Sequence, residues 1–185
     1  MTVLSFTVTF HSPFRVGSAY ARDGVDAALD RHDPLPPDHL KGLMRAAADD
    51  LLGPASDAVF QVFGSRRNAS PWAWSSAQPG EPGWVFSFRH RVQIDTDRHS
   101  ARKDHLVLGE QAWAHQARFE IRRVGALDDG ALARHVLVLR CAASAVHGLG
   151  SWRRRGLGWV GIAPDSGAVS AGEVAALLDL AGVAP

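Results

Sequence analysis

Cysteine is almost missing: Cys141 is the only one in 185 residues, which excludes an internal disulfide and any zinc site built on a cysteine cluster. Lysine is nearly as scarce. Lys41 and Lys103 are the only lysines among twenty basic residues, so cationic chemistry falls to arginine, whose planar fork suits phosphate better than a point charge. No apolar run reaches spanning length; the nearest, residues 136–146, is broken by Arg140 and too short for a bilayer. The opening MTVLSFTVTF has no basic leader and alternates polar with apolar residues, so it reads as a strand and not a signal peptide. The expectation is a soluble, cytoplasmic protein with no membrane partner. A charge excess of either sign is also absent, with 20 basic against 19 acidic side chains. No global field recruits a polyanion, and any nucleic-acid site must be local.

What is present is ordinary globular composition, 46% apolar and 21% charged, with neither repeat nor linker. Residues 1–185 therefore read as one domain. Charge is unevenly spread: residues 65–125 carry 10 basic and 6 acidic side chains, whereas residues 1–64 carry 5 and 8. The middle third is the basic one.

Leu4, Phe6, Val8 and Phe10 alternate with Ser5, Thr7 and Thr9, the period of a half-buried strand. Residues 11–37 then form a loop rich in Asp, Gly and Pro, far longer than a usual connection and therefore functional or mobile. Asp38 is a fitting N-cap for a helix carrying Leu40, Leu43, Met44, Ala47, Ala48 and Leu51, stopped by Gly53-Pro54. A short strand is expected at 72–75 and a turn at 76–83. Trp84, Phe86, Phe88, Val92 and Ile94 share one strand face, expected to be buried, with Arg89, Arg91 and Gln93 on the other. A further strand covers about 118–124, carrying Phe119 and Ile121 inward. The polar stretch 95–116 between them, with Arg98, Arg102 and Lys103, reads as an insertion projecting from the sheet. Leu132, Val136, Leu139, Ala143 and Val146 recur at helical offsets, so 129–147 reads as a helix although HVLVLRC fits a strand as well. A glycine-rich loop and a short strand follow. Ser170 and Glu173 form a capping box opening a last helix at about 170–182. The predicted class is α+β: a ferredoxin-like, RRM-like βαββαβ core with an insertion between the middle strands and a C-terminal helix.

Two phrases carry the strongest chemical signal. In LPPDHLKGLMR, Lys41 and Arg45 stand one helical turn apart and make a plausible phosphate seat, or simply a solvated helix edge. In GLGSWRRRGLGWVGI, Gly148, Gly150, Gly156 and Gly158 permit close backbone approach while Arg153, Arg154 and Arg155 supply charge. A P-loop Gly-Lys-Ser/Thr ending is missing, which speaks against nucleotide hydrolysis. The loop carboxylates Asp23, Asp26 and Asp30 read, by their chemistry alone, as turn and capping residues. His11, His32 and His39 flank that loop and can serve as acid or base in RNA cleavage; no HxH or HExxH spacing suggests zinc. Of six tryptophans able to stack bases, Trp84 fits the core, and Trp152, inside the arginine loop, is the first choice for stacking.

Taken in order, LPPDHLKGLMR, the VFGS at 62–65, the stretch RVQIDTDRHSARKDHLVLGEQAWAHQARFEI and the C-terminal glycine-rich loop resemble the RAMP superfamily. The likeness is to the backbone (Cas7-like) subunits of type III CRISPR-associated effector complexes and runs from about residue 4 to residue 163. It implies a ferredoxin-like core that binds guide RNA (crRNA), stacks as several copies in a filament with other effector subunits, and meets target RNA. The projecting insertion would be a thumb that kinks the guide–target duplex. Lys41, Arg45, Arg89, Arg91, Arg98, Arg102, Lys103, Trp152 and Arg153–Arg155, with the loop glycines, would face RNA. In family members that cut target RNA, the cleaving carboxylate sits in the long loop before the helix. Asp26 falls nearest that place, with Asp23 and Asp30 as rivals, and would help hold a divalent cation, Mg2+ or Mn2+. The alternatives are a non-catalytic structural or capping subunit and a histidine-based guide-RNA-processing endoribonuclease.

Overall fold

A computed structural model describes residues 2–17, 23–54 and 56–182. The main sheet is antiparallel, with strands β1 (Val3–Phe10), β2 (Trp72–Trp74), β6 (Gln116–Arg123) and β7 (Val160–Pro164) in the order β2-β6-β1-β7; β3 (Gln78–Pro79) adds to β6 beyond β2. A second, two-stranded sheet is a long hairpin of β4 (Val85–Asp95) and β5 (Ser100–Trp113). Four helices complete the fold: α1 (Pro37–Leu52), α2 (Asp57–Phe63), α3 (Asp129–Ser144) and α4 (Ala171–Ala181).

Alternation along β1 and β6 separates two faces. Phe6, Val8, Phe119 and Ile121 are fully buried beneath Leu40 and Met44 of α1 and Val138 and Leu139 of α3, with Phe6 stacked on Phe119 at 5.3 Å. The opposite face carries Ser5, Thr7, Arg118, Glu120 and Arg122, tied together by Thr7–Asp165 and Arg122–Glu120 contacts. A polar row facing water is what one-sided burial of an antiparallel sheet produces. In α3 the Asp128 carboxylate caps Ala131 N–H, while His135 is buried and accepts the Trp72 indole N–H through Nδ1. Burial pushes the His135 imidazole below its usual pKa, with the Arg134 charge acting the same way.

Several sequence expectations change. The expected turn at 76–83 contains the two-residue strand β3, and α2 is a short helix the periodicity did not announce. Pro36, not Asp38, stands at the N-cap of α1; Asp38 lies inside the first turn. The largest change concerns residues 84–116. The strand expected to lie in the main sheet is one arm of the separate hairpin, and the polar insertion expected at 95–116 is mostly its other arm. The face carrying Phe88, Val92 and Ile94 is not buried: these side chains are 49%, 50% and 55% exposed. Trp84 alone of that series reaches the core, edge-on to Phe10 and Phe14. A period of two reports which side chains share a face, not whether anything covers it.

The loop after β1 is laced along the hairpin. Phe14 exchanges two backbone hydrogen bonds with Ala112, and Ala27 pairs alongside Gly109. Leu29 and Leu35 enter the core from the same loop.

Candidate nucleic-acid interface

The glycine-rich loop begins where α3 ends, at Ser144, and returns into β7. Its shape is set by the chain's own packing: Gly150 and Gly158 both have φ near +75°, and a Cβ at either would collide with a backbone carbonyl, of Arg15 and Leu149 respectively. These two glycines therefore serve close approach of the chain to itself. Between them Trp152 adopts a left-handed backbone (φ 62°), and Arg153–Arg155 follow as a single 3-10 turn with all three side chains exposed.

Trp152 is turned toward the hairpin. Its ring lies against Gly109 of β5, where a Cβ would run into Cη2 and Cζ3. The Arg91 guanidinium of β4 sits over the ring at 4.5 Å and that of Arg15 at 5.1 Å, cation–π contacts that are strongest away from water. Arg15 also donates to Ala27 O, Ala28 O and Ser151 Oγ. The loop after β1, the hairpin and the glycine-rich loop thus meet at one point. Beyond it a groove is lined by Arg91, Gln93, Asp104, His105 and Arg155, and Arg98, Arg102 and Lys103 lie exposed toward the hairpin tip. Arg91 Nε is buried and has no hydrogen-bond partner among the described residues.

Arg89 is exposed on the same arm, opposite Gly109. Lys41 and Arg45 are not brought to this groove. Lys41 Nζ stands over Trp74 at 5.4 Å, and Arg45 donates to Gly64 O and lies over Phe60. They line a separate depression with Gly64, Asn68 and Ser70.

Asp26 is exposed, and its Oδ2 accepts the Leu108 N–H of β5 at 2.7 Å. Asp30 Oδ1 accepts from His32 and Asp33 N–H, closing a turn on itself, and Asp23 is exposed in the turn before Asp26. Among the described residues no three His, Cys, Asp or Glu side chains come together to hold a metal ion. The neighbourhood of Asp26 therefore does not fit a cation site assembled by the protein alone. Of the histidines, His39 accepts the Gly150 N–H through Nε2. Burial first, and then Arg153, hold it below the usual imidazole range, so it stays neutral. His11 stacks against Trp159.

One residue escaped the sequence reading. Glu110 is fully buried in β5, accepting Leu29 N–H at 3.1 Å and Arg31 Nε at 2.6 Å. No sequence signal marks it, because Arg31 is 79 residues away.

An α+β protein whose arginine-bearing loop is pinned to a two-stranded arm is the class these elements define. A protein-family model for the RAMP superfamily matches residues 7–161, and the chain belongs to that superfamily. Two solved structures are similar. One is a chain of a Type III-B Cmr-beta complex in its apo state, with TM-score 0.68, 11% identity, and coverage of 91% of this chain and 99% of that one. The other is a chain of Type III-B Cmr-beta bound to cognate target RNA, with TM-score 0.61, 14% identity, 87% of this chain and 58% of that one. At such identities the likeness is one of fold. No curated protein sequence matches. Among the described residues no helix is long and apolar enough to cross a membrane.

Proposed function

We propose that the protein is a guide-RNA-binding backbone subunit of a type III CRISPR effector complex. On this reading the strand order β2-β6-β1-β7 is a ferredoxin-like core, and the β4–β5 hairpin is the thumb that meets the guide–target duplex. Its partners are crRNA, target RNA, other effector subunits and further copies of itself along the guide. The observation that carries the reading is Arg91. Its Nε–H is buried without an acceptor while its guanidinium is held on Trp152, in one groove with Arg155. An orphaned guanidinium donor costs free energy that a phosphate oxygen would restore. Relatives of this fold occur in a complex bound to cognate target RNA, which supports the same class of ligand.

Arg153→Glu/Arg154→Glu/Arg155→Glu should abolish crRNA binding at moderate salt. The residual binding should show a log K against log salt slope shallower by about 2–3, since each lost phosphate contact removes about 0.9. Unchanged affinity and slope would remove RNA binding from this loop.

Target cleavage is assigned to Asp26. Standing without carboxylate neighbours, it would act by aligning or accepting the proton of a ribose 2′-hydroxyl as that oxygen attacks its own phosphate. Asp26→Ala should stop cutting by the assembled complex and leave guide binding intact; undiminished cutting moves the role elsewhere. The non-cleaving reading draws on one specific observation, that Asp26 Oδ2 is engaged by Leu108 N–H, and an assembled wild-type complex that binds target without cutting it would select that reading.

A further inference from the structure

Trp152, the tryptophan of the arginine loop, is occupied by two guanidinium groups and Gly109, but a second indole seven residues on stands in the open. Trp159 is 64% exposed, against 3% for Trp72 and 36% for Trp113. An aromatic this large in water calls for an explanation. Its backbone is held firmly: His11 N–H and Ser12 N–H donate to its carbonyl at 2.9 and 3.3 Å, its own N–H donates to Ser12 Oγ at 2.9 Å, and it bridges Gly148. The ring itself is backed by His11, with centroids 4.8 Å apart and planes inclined by 43°. A fixed, exposed ring costs little ordering when a flat partner settles on it.

Charge stands beside it. Gly148, the residue bridged to Trp159, has Arg153 as its neighbour: a Cβ there would meet Arg153 Cδ at 3.2 Å and Nη1 at 3.9 Å. Glycine at 148 thus makes room for a guanidinium stem next to the indole. An open aromatic face adjoining an exposed, permanently cationic fork is the complement of one nucleotide, base on the ring and phosphate on the arginine.

Resting on the RNA-binding reading above, we infer that Trp159, backed by His11 and flanked by Arg153, is a stacking platform for one unpaired RNA base. Trp152 then has a different task, holding the loop on the hairpin. The occupant is single-stranded RNA, since a base within a duplex has its faces covered by its neighbours.

The test is fluorescence anisotropy of the full chain with a fluorescein-labelled oligouridylate, and with the same RNA carrying one abasic ribose at successive positions. Trp159→Ala should weaken binding about tenfold, within the range measured for base–aromatic stacking, and leave the salt slope unchanged, whereas Trp159→Phe should keep most of the affinity. One abasic position should weaken the wild type and make no further difference to Trp159→Ala. Equal urea midpoints for the three proteins show that folding is intact. If the wild type binds and Trp159→Ala matches it within about twofold, the platform is refuted while RNA binding stands. A Trp159→Ala protein altered only in self-association makes this surface a protein contact and also refutes it. A wild type that ignores the RNA overturns both readings together.

Discussion

Glu110 shows how much one residue can hide from a sequence reader. It sits between Gly109 and Gln111 in a strand whose outer half is in water, yet it has no exposed surface. Its carboxylate receives the Leu29 N–H, a donor that would otherwise be buried unsatisfied, and pairs with the half-exposed Arg31. Removing it leaves that N–H without an acceptor and a guanidinium without a counter-charge, so Glu110→Ala should lower the unfolding free energy by about 2–4 kcal/mol. Urea denaturation measures this; a loss below about 0.5 kcal/mol would mean the pair contributes little to fastening the long loop. His135 is the comparable case in a helix. Sequence offers it as a surface or packing group, and only the buried Trp72 indole explains why it must remain neutral.

Among elements, the hairpin is the one whose placement depends on a single contact. Trp152 of the glycine-rich loop fits against β5 only because position 109 has no side chain. Gly109→Ala should therefore cost about 1–3 kcal/mol through overpacking, and Trp152→Ala in the same chain should recover part of that loss. A double-mutant cycle with no coupling would disprove the bolt. The C-terminal helix depends on a different fastening. Arg140 of α3 donates to both oxygens of Glu173, at 2.6 and 3.3 Å, and reaches Ser166 Oγ and the Gly167 carbonyl. Glu173 also closes the capping box with Ser170. The Arg140 hydrogen bond above all, then the Ser170 N–H, hold this carboxyl at about 2 against an ordinary 4.5. A folded-state pKa below the unfolded one means stability that is complete above pH 4.5 and drains away as pH falls toward 2. Unfolding midpoints followed from pH 6 to 2 should fall for the wild type, and the part of that fall due to this group should be missing in Glu173→Gln. Parallel curves would contradict the assignment.

At the scale of the whole molecule, the basic residues fall into two places. Arg91, Arg155 and the hairpin tip share one groove, while Lys41 and Arg45 line another depression beside Gly64. The sequence phrases holding both are adjacent in significance but not in space. What was legible beforehand has a common cause: β1, α1, α3 and the capped α4 are built on contacts of short sequence range, alternation in the strand and three-to-four spacing in the helices. The α2 helix spans seven residues, fewer than two full turns of spacing and too few to declare a period. The exposed apolar face of the hairpin was misread because alternation is the same whether a sheet or solvent lies opposite.

Taken alone, the order of residues determined which segments become strands and helices, where the arginines gather along the chain, and that the last helix is capped. Only the folded molecule decided which tryptophan is buried against glycine and which faces water, which arginine loses its hydrogen-bond partner, and that a carboxylate in an outward strand is sealed inside. Those outcomes depend on pairings across 79 to 136 positions, and local propensity carries no information about a partner that only chain closure brings near.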